Sequence, residues 1–252
     1  MAGRLRGKKA LITGASSGIG AGVALAFAKE GADVVINYPN KSQEKNAKKV
    51  ASEVRKAKRK AFLIQADVTK EASVKKMVNE SLRKLGSIDI LINNAGIATG
   101  APVEEMPVPM WDNMIATNLK SVFLCTHFVL PHMYKRNKGK IVSTTSQLAY
   151  LGSQNFSHYC AAKAGIIAFT RSLSREIGNR NINANCVAPG ATYTPMLQDV
   201  ADEHLEAIKS MIPKGELAKV EQIIPAFIYL ASDEASHMVG QTISPNGGDI
   251  MI

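Results

Sequence analysis

The chain has 252 residues, 46% of them hydrophobic, enough to bury one large core, and an α/β unit of this size is expected to form a single domain. It contains no uninterrupted stretch of 18 apolar residues and no signal-peptide pattern, so the expectation is a cytoplasmic protein without a membrane span. The net charge of +10 raises the question of an acidic partner, but the basic clusters at 41–60 and 135–140 lack interleaved aromatics and read as solvated surfaces rather than a nucleic-acid footprint.

In chain order, residues 8–13 read as a buried strand and 18–30 as a helix, joined by Gly14-Ala15-Ser16-Ser17-Gly18-Ile19-Gly20. The spacing G-x-x-x-G-x-G suits a dinucleotide turn: Gly14 allows a tight exit from the strand, Gly18 lets backbone approach a pyrophosphate and Gly20 admits close helix packing. Strands follow at 33–37, 61–65 and 88–93, with helices at 42–57 and 71–85. One long helix is expected over 110–135, then a strand at 139–145, a helix at 157–178 and a strand at 181–187. An irregular stretch at 188–215, with three prolines and a short helical piece at 199–211, is too long for a simple connection and reads as a substrate lid. A helix at 220–232 and a strand at 241–244 finish the chain. The alternation implies a Rossmann-type, doubly wound parallel sheet with helices on both faces and ligands at the carboxyl ends of its strands.

Tyr159 and Lys163, four residues apart on a helix, share one face, where a fixed ammonium would lower the pKa of the phenol. Ser146, at the end of the strand 139–145, would deliver a hydroxyl to the same place. The five histidines are scattered without ligand spacing, so no metal is expected, and Ser146 lacks the G-x-S-x-G elbow of a hydrolase. The second strand closes on Asn37 and Tyr38 without the acid that would repel a 2′-phosphate, so NADP is the expected cofactor and NAD the alternative. Cys125, Cys160 and Cys186 read as reduced packing thiols. Asp249 is open between a solvated carboxylate and an ion ligand.

These motifs, together with Asp67-Val68, Asn93-Asn94-Ala95-Gly96, Asn118, and Pro189-Gly190 with Thr194, resemble those of the classical short-chain dehydrogenase/reductases, in order, over about 5–252. The resemblance implies an NAD(P)-dependent oxidoreductase interconverting a ketone and a secondary alcohol, with Asn118, Ser146, Tyr159 and Lys163 as its catalytic residues. Tyr159 would be the acid or base, Ser146 would hold the carbonyl oxygen, Lys163 would also grip the nicotinamide ribose, and Asn118 would hold a relay water. Gly14, Ser16, Ser17, Gly18, Ile19, Gly20, Asn37, Tyr38, Asp67, Val68, Asn94, Ala95, Gly96, Pro189, Gly190 and Thr194 would line the cofactor, Asp67 at the adenine amino group. Asn93 has a structural reading, pinning neighbouring strands. Gln147, Leu148, Phe156, Tyr193 and Met196 would line the substrate.

Within the family the chain is most similar to 3-oxoacyl-acyl-carrier-protein reductases, through Ala188-Pro189-Gly190 and Leu230-Ala231-Ser232-Asp233-Glu234-Ala235. Arg180 matches one of their two arginines for an acidic acyl carrier protein, while Asn137 stands at the other. A second similarity, to bacterial glucose dehydrogenases through Val35-Ile36-Asn37-Tyr38 and His158-Tyr159, keeps a sugar or small cyclic alcohol open. A non-catalytic dinucleotide sensor is the reading from another class. The family also implies a homotetramer packed through the helices at 110–135 and 157–178.

Overall fold

The computed structural model describes residues 3–198 and 200–252. Its first half runs β1 (Lys9–Ile12), α1 (Gly18–Lys29), β2 (Asp33–Tyr38), α2 (Glu44–Lys56), β3 (Ala61–Gln65), α3 (Glu71–Leu85), β4 (Ile90–Asn93), α4 (Val108–Ile115) and α5 (Ser121–Arg136). The second half adds β5 (Gly139–Thr144), α6 (Leu148–Leu151), α7 (Ser157–Ile177), β6 (Ile182–Val187), α8 (Asp202–Met211), α9 (Val220–Ala231) and β7 (Thr242–Ile243). All seven strands are parallel, in the order β3-β2-β1-β4-β5-β6-β7. The order reverses at β1, so the crevice between the carboxyl ends of β1 and β4 is where such a sheet takes a ligand.

Strand side chains alternate between two cores. Ala10, Ile12, Val34, Ile36 and Ile92 join Phe27 of α1, Val54 of α2 and Phe227 of α9 on one face. Leu11, Val35, Leu91 and Ile141 join Met77 of α3, Val129 of α5 and Leu173 of α7 on the other. Near-continuous apolar strands such as Asp33–Tyr38 follow from burial on both faces.

The expected helix over 110–135 is instead two helices joined by a π turn at Ala116–Lys120. Asn118 lies in that turn, fully buried, with its side chain turned into the protein. The whole run 108–136 is long and apolar enough to cross a membrane, yet α5 packs on α3, β4 and β5 as a flank of the sheet. The helix expected at 42–57 opens with a 3₁₀ turn at Lys41–Gln43, and within the expected piece at 199–211 the helix is α8, while Asp199 lies outside the described residues.

The basic clusters are less free than the sequence suggests. Lys140 is buried and donates to Asn183 Oδ1 at 2.6 Å, Arg136 pairs with Asp89 at 2.9 Å, and Arg59 pairs with Asp33 at 2.7 Å. On α2, Lys48 and Lys56 pair with Glu44 and Glu53 one turn away, as a solvated helix face does.

Candidate active site

Two hydrogen bonds fasten the middle of α7 to the end of β5. Lys163 Nζ donates to Thr144 O at 2.9 Å, and Thr145 Oγ1 donates to Lys163 O at 2.7 Å. They bring Ser146, the next residue of the chain, to Tyr159, one turn earlier on the helix. Tyr159, Ser146 and Lys163 therefore meet at the carboxyl end of the sheet as the sequence predicts. The Lys163 ammonium lies over the Tyr159 ring, 5.5 Å from its centroid, and Phe156 meets the ring edge-on at 6.2 Å.

Burial pushes the Tyr159 phenol up, and hydrogen bonding with Ser146 pulls it part of the way back. Burial also pushes Lys163, only 4% exposed, down to about 8. The ligand-free site thus departs from the expectation that Lys163 lowers the phenol. The ammonium faces the ring and Thr144 O, and lack of solvent dominates both groups.

Asn118 makes two bonds to one residue: its Oδ1 accepts from Ile97 N and its Nδ2 donates to Ile97 O, both at 3.0 Å. The side chain pins the loop after β4. Only glycine fits beside it at Gly96, where a Cβ would stand 2.5 Å from Asn118 Oδ1.

The glycine turn between β1 and α1 fits a dinucleotide pyrophosphate. A Cβ on Gly14 would stand 2.8 Å from Ala95 Cα, Gly18 has φ +55°, and the Thr194 side chain lies over Gly18, so the loop after β4 and the segment at Thr194 both close on the turn. Ser17 precedes α1 without a side-chain cap, and the first turn carries no acid, which leaves the helix N-terminus to an anion. Asn94 Nδ2 donates to Thr13 O and Gly14 O, both at 3.1 Å, holding this turn to the end of β4. Pro189 O accepts from Gln147 N at 3.0 Å and Gly190 N donates to Pro245 O at 3.0 Å, which brings the turn after β6 to the same end of the sheet.

Several predicted cofactor residues sit elsewhere than expected. Asn37 is 1% exposed, its Nδ2 donating to Ala66 O at 3.0 Å and its Oδ1 accepting from Gly14 N at 3.2 Å, so it stands behind the site as a strand tie. Tyr38 is buried among α2 residues. Ser16 Oγ reaches Gln43 Oε1 at 3.4 Å, Ile19 packs against the core, and Val68 is buried beneath α3. Asp67 Oδ1 accepts from Thr69 N and Thr69 Oγ1, closing the turn after β3 while the residue stays exposed. Asn93 donates to Thr126 Oγ1 and Ser143 Oγ, pinning β4 to α5 and β5 as read from the sequence.

Around the cleft, Leu148 and Phe156 are half-buried, and Tyr193 and Met196 are exposed. Gln147 is buried and directed at Asp249. Sequence reasoning missed Thr13, whose hydroxyl accepts from Asn94 N and Ala95 N and so registers β1 against β4 at the switch point. It also missed Thr145. A threonine directly before Gly14 and directly before Ser146 was the available signal. Burial pushes the Cys125 and Cys186 thiols up to about 12 and about 11, as for packing residues, while Cys160 is half-buried beside Tyr159.

Comparison with known proteins agrees with this geometry. A family model described as enoyl-(acyl carrier protein) reductase matches residues 14–249. The chain is 39% identical to the 3-oxoacyl-[acyl-carrier-protein] reductase of Staphylococcus epidermidis, over 97% of this chain and 99% of that protein. It is 36% identical to the enzyme of that name from Escherichia coli, over 98% of each. A short-chain type dehydrogenase/reductase from Mycobacterium marinum superposes with a TM-score of 0.92 at 34% identity, over 98% of this chain and 97% of that one. The chain belongs to the short-chain dehydrogenase/reductase family and is an oxidoreductase of the NAD(P)-dependent kind.

The buried ammonium gives a pH signature. Lys163 titrates at about 8 when folded against an ordinary 10.5, so between these values the unfolded chain holds more protons and stability rises with pH. The burial penalty is complete below pH 8. Lys163→Met removes it, so the stability of the variant relative to the parent, measured by urea unfolding, is highest below pH 8. That relative stability falls by no more than about 3 kcal/mol as pH passes through the window.

Proposed function

We propose that the chain reduces the ketone of a 3-oxoacyl substrate to a secondary alcohol, with NADPH preferred over NADH. The observation that carries this reading is the phenol of Tyr159, half-buried beside Ser146 with the Lys163 ammonium over its ring, and pushed up in pKa by burial. Such a phenol stays protonated at neutral pH and can give its proton to an alkoxide. The nicotinamide supplies hydride to the carbonyl carbon when bound. Ser146 donates to the carbonyl oxygen and holds it at the phenol, and Tyr159 protonates that oxygen. Lys163 keeps positive charge beside the developing anion and holds the ribose hydroxyls. Asn118 spends its side-chain amide on Ile97, so that amide is assigned a positioning role beside Lys163.

The cofactor preference rests on the absence of an acid at the end of β2. With Asn37 and Tyr38 buried, the exposed residues Asn40, Lys41 and Ser42 would be the ones to meet an adenosine ribose, and Lys41 would supply the counter-charge for a 2′-phosphate. The cleft walls Leu148, Phe156 and Met196 suit an acyl chain better than a sugar. The segment 188–215 acts as the lid, and a cytoplasmic location fits the free thiols.

Arg180 bears on delivery by a carrier. Its guanidinium stacks 4.5 Å from the Tyr134 ring centroid and donates to Ile177 O at 3.1 Å, beyond the far end of α7 from Tyr159. Tyr159 lies in the first turn of α7, and the rest of the helix separates the two by about 27 Å, so a carrier docked there would feed the cleft of a neighbouring copy. A homotetramer supplies that neighbour, and Phe123, 46% exposed and edge-on to Phe169, marks the α5/α7 face that would pack.

Two experiments test the reading. Tyr159→Phe is expected to abolish reduction of acetoacetyl thioesters while NADPH still binds, and the parent is expected to bind NADPH more tightly than NADH. Wild-type turnover in the variant would remove Tyr159 from the role of acid. Arg180→Glu is expected to raise KM for a carrier-bound 3-oxoacyl substrate by about tenfold at low salt and to leave a free 3-oxoester unchanged. Equal loss on both substrates would make Arg180 a fold-supporting cap of α7.

A further inference from the structure

The last residues of the chain carry a carboxylate that the chemistry above does not use. Asp249 Oδ2 accepts from Gln147 Nε2 at 2.5 Å, and Gln147, 5% exposed, is the residue after Ser146. The other end of that amide, Gln147 Oε1, is buried without a partner. Among the described residues, the orientation of the amide therefore depends on one charge-assisted bond.

Gln147 belongs to the turn that fixes the Ser146 hydroxyl. Its backbone N donates to Pro189 O at 3.0 Å, and Leu148 N donates to Ser146 Oγ at 3.2 Å. On its other side the tail meets the foot of the 188–215 segment. Lys214 N donates to Gly247 O at 3.2 Å, and a Cβ on Gly247 would stand 2.7 Å from Ile212 Cγ2. Asn246, 7% exposed, organises the tail by accepting from Gly248 N at 2.8 Å and donating to Ile250 O at 2.7 Å. Gly190 fills the remaining gap, where a Cβ would stand 2.7 Å from Asn246 Cα and 3.0 Å from Gln147 Oε1.

We propose that Asp249 is a positioning residue whose carboxylate holds the Gln147 amide, and with it the turn bearing Ser146, against a tail that also braces the foot of the lid segment. The proposal rests on the assignment of Ser146 and Tyr159 above. Asp249 acts through Gln147 and is assigned no contact with substrate or cofactor. Loss of its carboxylate frees the Ser146 turn, which costs alignment of the carbonyl oxygen with the phenol and leaves in place the glycine turn and Lys163, which would hold most of the dinucleotide.

The test compares Asp249→Ala, Asp249→Asn, Gln147→Glu and the double variant Gln147→Glu/Asp249→Asn, which exchanges donor and acceptor between the two positions. Readouts are kcat and KM for ethyl acetoacetate with NADPH, the NADPH Kd from fluorescence, and amide hydrogen exchange at residues 147–150. Asp249→Ala and Gln147→Glu are expected to lower kcat by about 5–20-fold, keep the NADPH Kd within about twofold, and speed exchange at 147–150. Asp249→Asn is expected to stay within about threefold of the parent, and the double variant to recover most of the kcat and exchange protection that Gln147→Glu loses. Exchange is read on the protein itself and needs no turnover. Tyr159→Phe is the control that separates the two assignments, since it stops the reaction and leaves exchange at 147–150 unchanged. Parental exchange in Asp249→Ala would overturn the proposal, as would a loss of kcat that the double variant does not restore.

Discussion

The clasp between Lys163 and the end of β5 is the constraint on which the site depends. One bond runs from the ammonium to Thr144 O and one from Thr145 Oγ1 to Lys163 O, so a side chain and its own backbone hold the same strand end from two directions. Ser146 follows the clasp in the chain and Tyr159 precedes it by one helical turn. Without it, the two hydroxyls would belong to different elements with no fixed separation. The sheet brings the glycine turn to the same edge, because β1 and β5 flank β4 and all three strands end together.

Holding an ammonium in that place is costly. Lys163 is driven down to about 8 by burial, while its phenol neighbour is driven up by the same lack of water. The two shifts suit a site that keeps its proton on Tyr159 until an anion develops nearby. A solvated pair at the same helical spacing would show neither shift. In the proposed reaction it is burial, rather than spacing alone, that would make these residues an acid and its counter-charge.

Much of this was legible in the sequence because its signals are local. The glycine turn, the strand–helix alternation, and Tyr159 four residues before Lys163 each follow from periods and backbone sterics that a short window contains. What escaped depends on which way a polar side chain turns. Asn37 ends a strand as a cofactor-facing residue would, yet its amide satisfies backbone groups of Gly14 and Ala66. Asn118 hides a π turn that interrupts an otherwise continuous apolar helix, and its partner Ile97 lies 21 residues earlier. Gln147 reads as a pocket wall until the tail, 102 residues on, folds back to bond it. Lys140 reads as surface charge until β6 offers it Asn183. In each case the partner is set by tertiary contact, which no local pattern encodes.

The account's central claim is that Lys163 is a buried ammonium clasped to Thr144 beside a protonated Tyr159. Its most direct test is NMR titration of the ligand-free protein carrying ¹³C-labelled lysine, with Lys163→Met used to assign the resonance. The account predicts a lysine signal titrating near pH 8 that is absent from the variant. A Lys163 signal that titrates with the bulk of the lysines would contradict it, because that ammonium would then be in water and the clasp would not exist.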